Sequence, residues 1–408
     1  MLKEGWRALR SGHWPSLLGA WLHFEVSFMV WLLIGALSIA ISDEFSLSAS
    51  QKGMLVGMPL LGGALLRIIA GPLGDWFGAK TVGLAILGLE TLALLLGWQW
   101  GTSFEEMLVV GFFLGVAGAS FAIALPLASQ AYPLAHQGLA MGIAALGNSG
   151  VLLASFFAPR VAEAFGWHHV FGLMLVPVLG TTLIFVWLVQ PSPSQNQIPR
   201  MRDSARLETN FSQGLQDKLM YWLCFLYAVT FGGFVGLSSY LPIFFHDQFQ
   251  VGMVAAGTLT ALSALAGSAA RPLGGFLADR LGGFILLPGL FVAVMVLCLT
   301  FGYLPNLLWA LTILLFMMMC LGFGNGVIFQ VASHRFKAIM GTASGLIGAA
   351  GGLGGFLLPF CFGWLKEMTG TFSAGFLVFG LVSGLAGLSA MIVQRSVRLT
   401  RHRPVSET

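Results

Sequence analysis

"LLRIIAGPLGDWFGAK", residues 65–80, places an arginine inside an otherwise apolar run. Between Lys52 and Asp75, Arg67 is the only charged residue. An unpaired guanidinium in hydrocarbon costs about 2.5–3.5 kcal/mol on insertion scales, and more in simulation. The side chain must therefore hold something. The pattern returns at residues 269–284, "AARPLGGFLADRLGGF". Arg271 stands eight residues before Asp279, as Arg67 stands eight before Asp75, and a glycine follows each aspartate by three, at Gly78 and Gly282. The offset is 204 residues in a chain of 408, so the sequence reads as two related halves.

Composition sets the solvent of those halves. The chain is 57% hydrophobic and 9% charged, with a mean hydropathy of +0.86. A soluble domain carries roughly 25% charged residues, so this is a polytopic membrane protein whose surroundings are a lipid bilayer. A spanning helix needs about 20 apolar residues. Twelve runs qualify, near 17–42, 53–73, 81–101, 107–131, 138–159 and 167–190, then 219–245, 253–273, 284–304, 307–332, 340–364 and 372–394. The expected fold is all-α: twelve transmembrane helices in two pseudo-symmetric six-helix halves, a common transporter plan. The halves should cover 1–190 and 219–394. The polar stretch 191–218, with proline and serine near its start, reads as a linker, and 395–408 as a tail.

The basic residues give an orientation. With both termini in the cytoplasm, fifteen Lys and Arg residues fall on that side. Only Lys52, Arg160 and Lys366 fall outside, and the two left over are Arg67 and Arg271. This is a positive-inside bias. It accounts for the pI near 9.0 without nucleic acid. No removable signal peptide follows the basic N-terminal stretch, so a multi-pass protein of the cytoplasmic membrane is expected. The four cysteines all lie in apolar runs, without metal-ligand spacing, and read as packing residues. No metal or cofactor is implied, and no nucleophile–base arrangement suggests an enzyme. No output domain suggests a sensor.

The site is read from what can face Arg67 and Arg271. One comes from each half, at matching depth. Two arginines across a cavity repel unless an anion lies between them, and a guanidinium offers a flat fork of donors to a flat oxyanion. The alternative is that each arginine binds helix carbonyls or a buried acid, for which Glu25 and Glu90 are the candidates. Glu90 is expected at the periphery or in a local pair. Helix 5 carries "GLAMGIAALGNSGVLLASFFAP" (138–159), where the amide of Asn148 can donate to an anion. Helix 11 carries "GTASGLIGAAGGLGGFLLP" (341–359), where Gly341, Gly345, Gly348, Gly352 and Gly355 form a smooth stripe suited to close, sliding helix contact; plain packing would leave the same stripe. Helix 7 adds Tyr227 and Phe231, four apart on one face; helix 4 adds Phe121, and helix 10 adds Asn325. Glu25 lies within helix 1. A carboxyl that gains and loses a proton there would let charge change during a transport cycle; the other possibility is a structural pair near the helix end.

The turn segments "GPLGDWFGAK" and "GGFLADRLGG" resemble the loop signature of the major facilitator superfamily. The paired arginines, GNSG and GLIGAAGGLGG together resemble the nitrate/nitrite porter family of that superfamily. "SFMVW" (27–31) and "GNGVIFQ" (324–330) are similar to its assimilatory bacterial members. The resemblance implies that Arg67 and Arg271 bind the substrate, that Asn148 and Tyr227 hydrogen-bond it, and that Phe121 and Phe231 sandwich it. Gly147, Gly150, Gly345, Gly348, Gly351 and Gly352 would belong to the glycine signatures, and Asp75 and Asp279 to the gate. Val151 stands where many members have a further glycine. The implied activity is import of nitrate, and of nitrite, by alternating access in a monomer, with protons as co-substrate through Glu25. Exchange of nitrate against nitrite is the alternative, and another small monovalent anion a further one.

Overall fold

A computed structural model of the chain describes residues 11–133, 136–190, 216–303, 306–336 and 339–401. Twelve helices among them are long and apolar enough to cross a membrane. They are α1 (Trp14–Glu44), α2 (Ala49–Phe77), α3 (Ala79–Gln99), α4 (Phe104–Gln130), α5 (Leu139–Phe165), α6 (Trp167–Leu188), α7 (Lys218–Phe249), α8 (Met253–Leu281), α9 (Gly283–Phe301), α10 (Leu307–Arg335), α11 (Met340–Thr369) and α12 (Ser373–Arg401). All twelve apolar runs are helices. Of the expected linker, 191–215 lies outside the described residues, and α12 continues through the first residues of the expected tail to Arg401.

The repeated glycines explain the repeated turns. Gly78 ends α2 and Gly282 ends α8, with φ of +85° and +90°. That left-handed region is one glycine enters at no steric cost, so each chain reverses directly into the next helix at Ala79 and Gly283. Asp279 lies 3.8 Å from His334 at the end of α10, and both are exposed. The side chain of Asp75 lies outside the described residues.

The halves meet along two seams, α2 with α11 and α5 with α8. Small residues bring the backbones together there, as membrane helices with no hydrophobic drive between them require. A Cβ on Gly53 would run into the Pro359 carbonyl, and one on Gly363 into the Ala49 carbonyl. At the end of the bundle far from the linker, side chains also tie the halves. Lys52 pairs with Asp247 at 2.9 Å. Glu367, at the end of α11, accepts from the Ser48 hydroxyl and the Ser50 amide, both at 2.8 Å, capping α2 from the other half. Arg160 of α5 donates to Thr258 of α8 at 2.9 Å.

Three long helices are irregular within their spans. α1 breaks its ladder at Leu32, α4 tightens to a 3₁₀ stretch over Gly115–Ser120, and α5 does the same over Leu146–Ser149. Mid-helix 3₁₀ turns mark strain or function, and the central site lies beside them.

Candidate functional site

Arg67 of α2 is wholly buried and Arg271 of α8 nearly so. Both guanidinium groups approach one ring: their central carbons lie 5.4 and 5.6 Å from the centre of Phe121. Phe121 follows directly on the 3₁₀ stretch of α4, whose Gly118 carbonyl accepts Arg67 Nε at 2.6 Å. Arg67 Nη1 reaches across the seam to the Gly348 carbonyl of α11 at 2.9 Å. Helix carbonyls thus take two of its donor groups, the alternative raised by the sequence. They do not take all of them. Nη2 of Arg67 and Nη1 of Arg271 are buried and have no hydrogen-bond partner among the described residues.

Aromatic rings wall the pair. The Arg67 guanidinium lies 4.5 Å from the Trp31 ring and 5.1 Å from Phe231, and Arg271 lies 6.0 Å from Phe329. Cation–π contact of this kind is strongest where water is excluded. Tyr227 stacks on Phe231 at 4.9 Å with ring planes 6° apart, one turn along α7. Its hydroxyl is buried and within electrostatic reach of both arginines, nearest to Arg271. Asn148 sits in the 3₁₀ turn of α5, buried, and neither amide atom has a hydrogen-bond partner among the described residues. Buried orphan polar atoms are few in native proteins and each needs an explanation. The unpartnered Nη atoms of Arg67 and Arg271 lie close to the Tyr227 hydroxyl, so the arrangement suits a small anion with several acceptor oxygens.

The glycine signatures have separate tasks. Gly147 and Gly150 press α5 against α1: a Cβ on Gly147 would lie 2.8 Å from the Phe24 ring, and one on Gly150 would strike the Glu25 carbonyl. This contact holds the turn that carries Asn148 against α1 at Phe24, whose ring lies 5.7 Å from Phe121. The glycines of α11 divide between two faces. Gly345, Gly348 and Gly352 face α2 at Arg67 and Ala64, while Gly351 and Gly354 face α7 at Tyr227 and Ala228.

Glu25 is buried, and its Oε2 accepts from Ser149 Oγ at 2.8 Å. Ser149 also lies 2.7 Å from the Leu146 carbonyl, so its one proton has two acceptors. Ser149 borders a crevice of about 420 Å³ between α1, α5 and α8, shared with Trp21, Leu265 and Ser268. Of the two expectations for Glu90, the local pair holds and the periphery does not. It is wholly buried rather than peripheral, and accepts from Ser27 of α1 at 2.6 Å. A carboxylate there would be costly at the lipid face, whereas the helix interface supplies a hydroxyl.

Sequence reasoning missed the roles of Trp31, Phe329 and Ser149, although each stood inside a quoted motif. The carbonyls of Gly118 and Gly348 carry no side-chain signal at all.

The family model described as Major Facilitator Superfamily matches residues 20–359. Among similar chains, "Probable nitrate/nitrite transporter NarK2" of Mycobacterium tuberculosis is 33% identical over 356 residues, covering 85% of this chain and 87% of the relative. "Nitrite extrusion protein" of Bacillus subtilis is 29% identical over 365 residues, 89% of this chain and 90% of its own. "Probable nitrate/nitrite antiporter NarK1" of Thermus thermophilus is 28% identical over 401 residues, 90% and 88% of the two chains. Among solved structures, a D-xylose–proton symporter overlays with a TM-score of 0.73 at 17% identity, covering 92% of this chain and 97% of its own. That likeness concerns the fold alone.

Proposed function

The chain belongs to the nitrate/nitrite porters of the major facilitator superfamily, and we propose that it carries nitrate and nitrite across the cell membrane between its two halves. The carrying observation is the pair of buried guanidinium groups within 5.4 and 5.6 Å of the one Phe121 ring, each with an Nη that has no partner among the described residues. A flat monoanion lying between rings, its edge oxygens toward Arg67, Arg271, Tyr227 and Asn148, satisfies those donors and cancels the repulsion of the arginines. The relatives named for nitrate and nitrite support the same substrate class. The transporter is a multi-pass membrane protein and no enzyme. We place its halves at 1–190 and 219–394, the linker at 191–218 and the tail at 395–408, with the linker and both termini cytoplasmic. It acts as a monomer.

The direction is import, driven by protons. Glu25 is the carrier. When it is ionised, Ser149 donates to it; when it is protonated, it donates to Ser149, whose proton then turns to the Leu146 carbonyl. The observed distances of 2.8 and 2.7 Å accommodate both arrangements. The crevice beside Ser149 lies between the halves, where access alternates as they rock. Exchange of nitrate against nitrite is the rival: an empty arginine pair repels itself and resists reorienting unloaded, and one relative is named an antiporter.

Labelled-nitrate flux into proteoliposomes separates the two. The expected result is uptake driven by a pH gradient into nitrite-free vesicles, abolished in Glu25→Gln, which retains nitrate-for-nitrate exchange. A wild-type protein that takes up nitrate only against internal nitrite is an exchanger, and Glu25 is then structural.

A further inference from the structure

Asn325 of α10 is a buried polar group that the site described so far does not use. It is wholly buried, and neither amide atom has a hydrogen-bond partner among the described residues. An amide in that state forfeits the bonds it makes in water. Close packing fixes its height. A Cβ on Gly326 would strike the Arg271 carbonyl, and one on Gly324 would lie 2.7 Å from Thr230, so Asn325 stands level with Arg271, between α8 and α7. Residues four apart share a helix face. One turn on is Phe329, whose ring lies 5.2 Å from Phe121, 5.0 Å from Tyr227 and 6.0 Å from the Arg271 guanidinium. The face of α10 that carries Asn325 is the face turned to the anion. In the other half Asn148 is in the same state, with both amide atoms unpaired.

We propose that Asn325 is a second amide of the anion site, contributed by the C-terminal half, and that it selects nitrate over nitrite. The inference rests on the reading of the site as one for these anions. Nitrate is planar with three oxygens at its rim; nitrite has two. Each added donor around the rim favours the ligand with more acceptors, because the smaller anion leaves a buried donor unpaired. An amide does this without adding a charge to a site that already holds two cations.

The test is binding of nitrate and of nitrite to the purified full chain, by calorimetry, for wild type and Asn325→Leu. Leucine keeps the branched outline and the number of heavy atoms and removes the hydrogen bonds. The variant is expected to lose on the order of tenfold in nitrate affinity and distinctly less in nitrite affinity, while the ligand-free protein melts no lower than wild type. Unchanged affinities, or equal losses for the two anions, overturn the proposal. So does a fall in ligand-free melting temperature with binding intact, the mark of a packing role. Should Asn325→Leu not fold, Asn325→Ala is read by the same ratio. A wild type that binds neither anion overturns the substrate reading itself, a result distinct from a wild type that binds both and a variant that discriminates as before.

Discussion

At the scale of single residues, Arg67 does two jobs that a lysine cannot combine. Its Nε and Nη1 are spent on the carbonyls of Gly118 and Gly348, which hold the guanidinium plane in place, and Nη2 remains for a ligand. A lysine is a single point donor on a flexible stem. Lysine at position 67 would have to choose between the carbonyls and the anion. We expect Arg67→Lys and Arg271→Lys each to weaken nitrate binding by roughly 10- to 100-fold, the worth of a charge-assisted hydrogen bond or two, although charge is kept. Calorimetry on the purified variants checks this, and near-wild-type affinity in both would remove the arginines from the binding role. The sequence advertised these residues because a charge in hydrocarbon is costly enough to need a reason. It was silent about their partners, since the carbonyls of Gly118 and Gly348 look like any others until the helices are packed. Glu90 stays open between periphery and local pair in the sequence for a related reason. Its place in α3 fixes depth but not direction, and only the contact with Ser27 shows that it faces inward.

At the scale of elements, the glycine-rich α11 shows what a stripe in the sequence means once neighbours are known. Read alone, Gly345, Gly348 and Gly352 form a smooth surface. In the bundle they face α2, while Gly351 and Gly354 face α7. The spacing reveals the small surface because one helix is a local object. Which neighbour it meets is set by long-range packing, which no local pattern carries. The same limit hid the 3₁₀ turns at Gly115–Ser120 and Leu146–Ser149, while the twelve helices themselves were plain from apolar length. The glycines consequently differ in what they tolerate. A Cβ on Gly348 would meet Phe121 at 3.5 Å and Arg67 Cδ at 3.6 Å, which is ordinary contact; one on Gly351 would lie 2.7 Å from the Tyr227 ring, itself stacked on Phe231. We expect Gly348→Ala to bind nitrate nearly as wild type does. Gly351→Ala should displace the Tyr227–Phe231 stack and cost about 1–3 kcal/mol, as overpacking does, read as weaker binding and a lower melting temperature. Equal behaviour of the two variants would contradict this division of α11.

At the scale of the whole molecule, a central site between two halves can be reached from one side only while the halves stay closed on the other. The side-chain ties at the end far from the linker are few: the Lys52–Asp247 ion pair, Glu367 on the start of α2, and Arg160 with Thr258. All join one half to the other, so all must break for that end to open. Bonds that must break in each cycle cannot be strong, and an ion pair that water still reaches, as at Lys52 and Asp247 with 18% and 23% of their side chains exposed, is worth on the order of 1 kcal/mol. That suffices to bias a two-state equilibrium without locking it. In a background with Cys224, Cys298, Cys320 and Cys361 replaced, Phe356→Cys puts a thiol on α11 where it packs against Gly57 of α2. A polar thiol reagent should label it slowly. Asp247→Asn should raise the rate by about two- to fivefold, the equivalent of one such pair, and Glu367→Gln should raise it further when added. Exchanging the charges, Lys52→Asp with Asp247→Lys, should bring the rate back down, because attraction between the halves is restored while both native side chains are gone. Labelling that ignores all three changes would mean that neither the Lys52–Asp247 pair nor Glu367 holds this end shut, and that glycine packing along the α2–α11 seam and the Arg160–Thr258 bond do so.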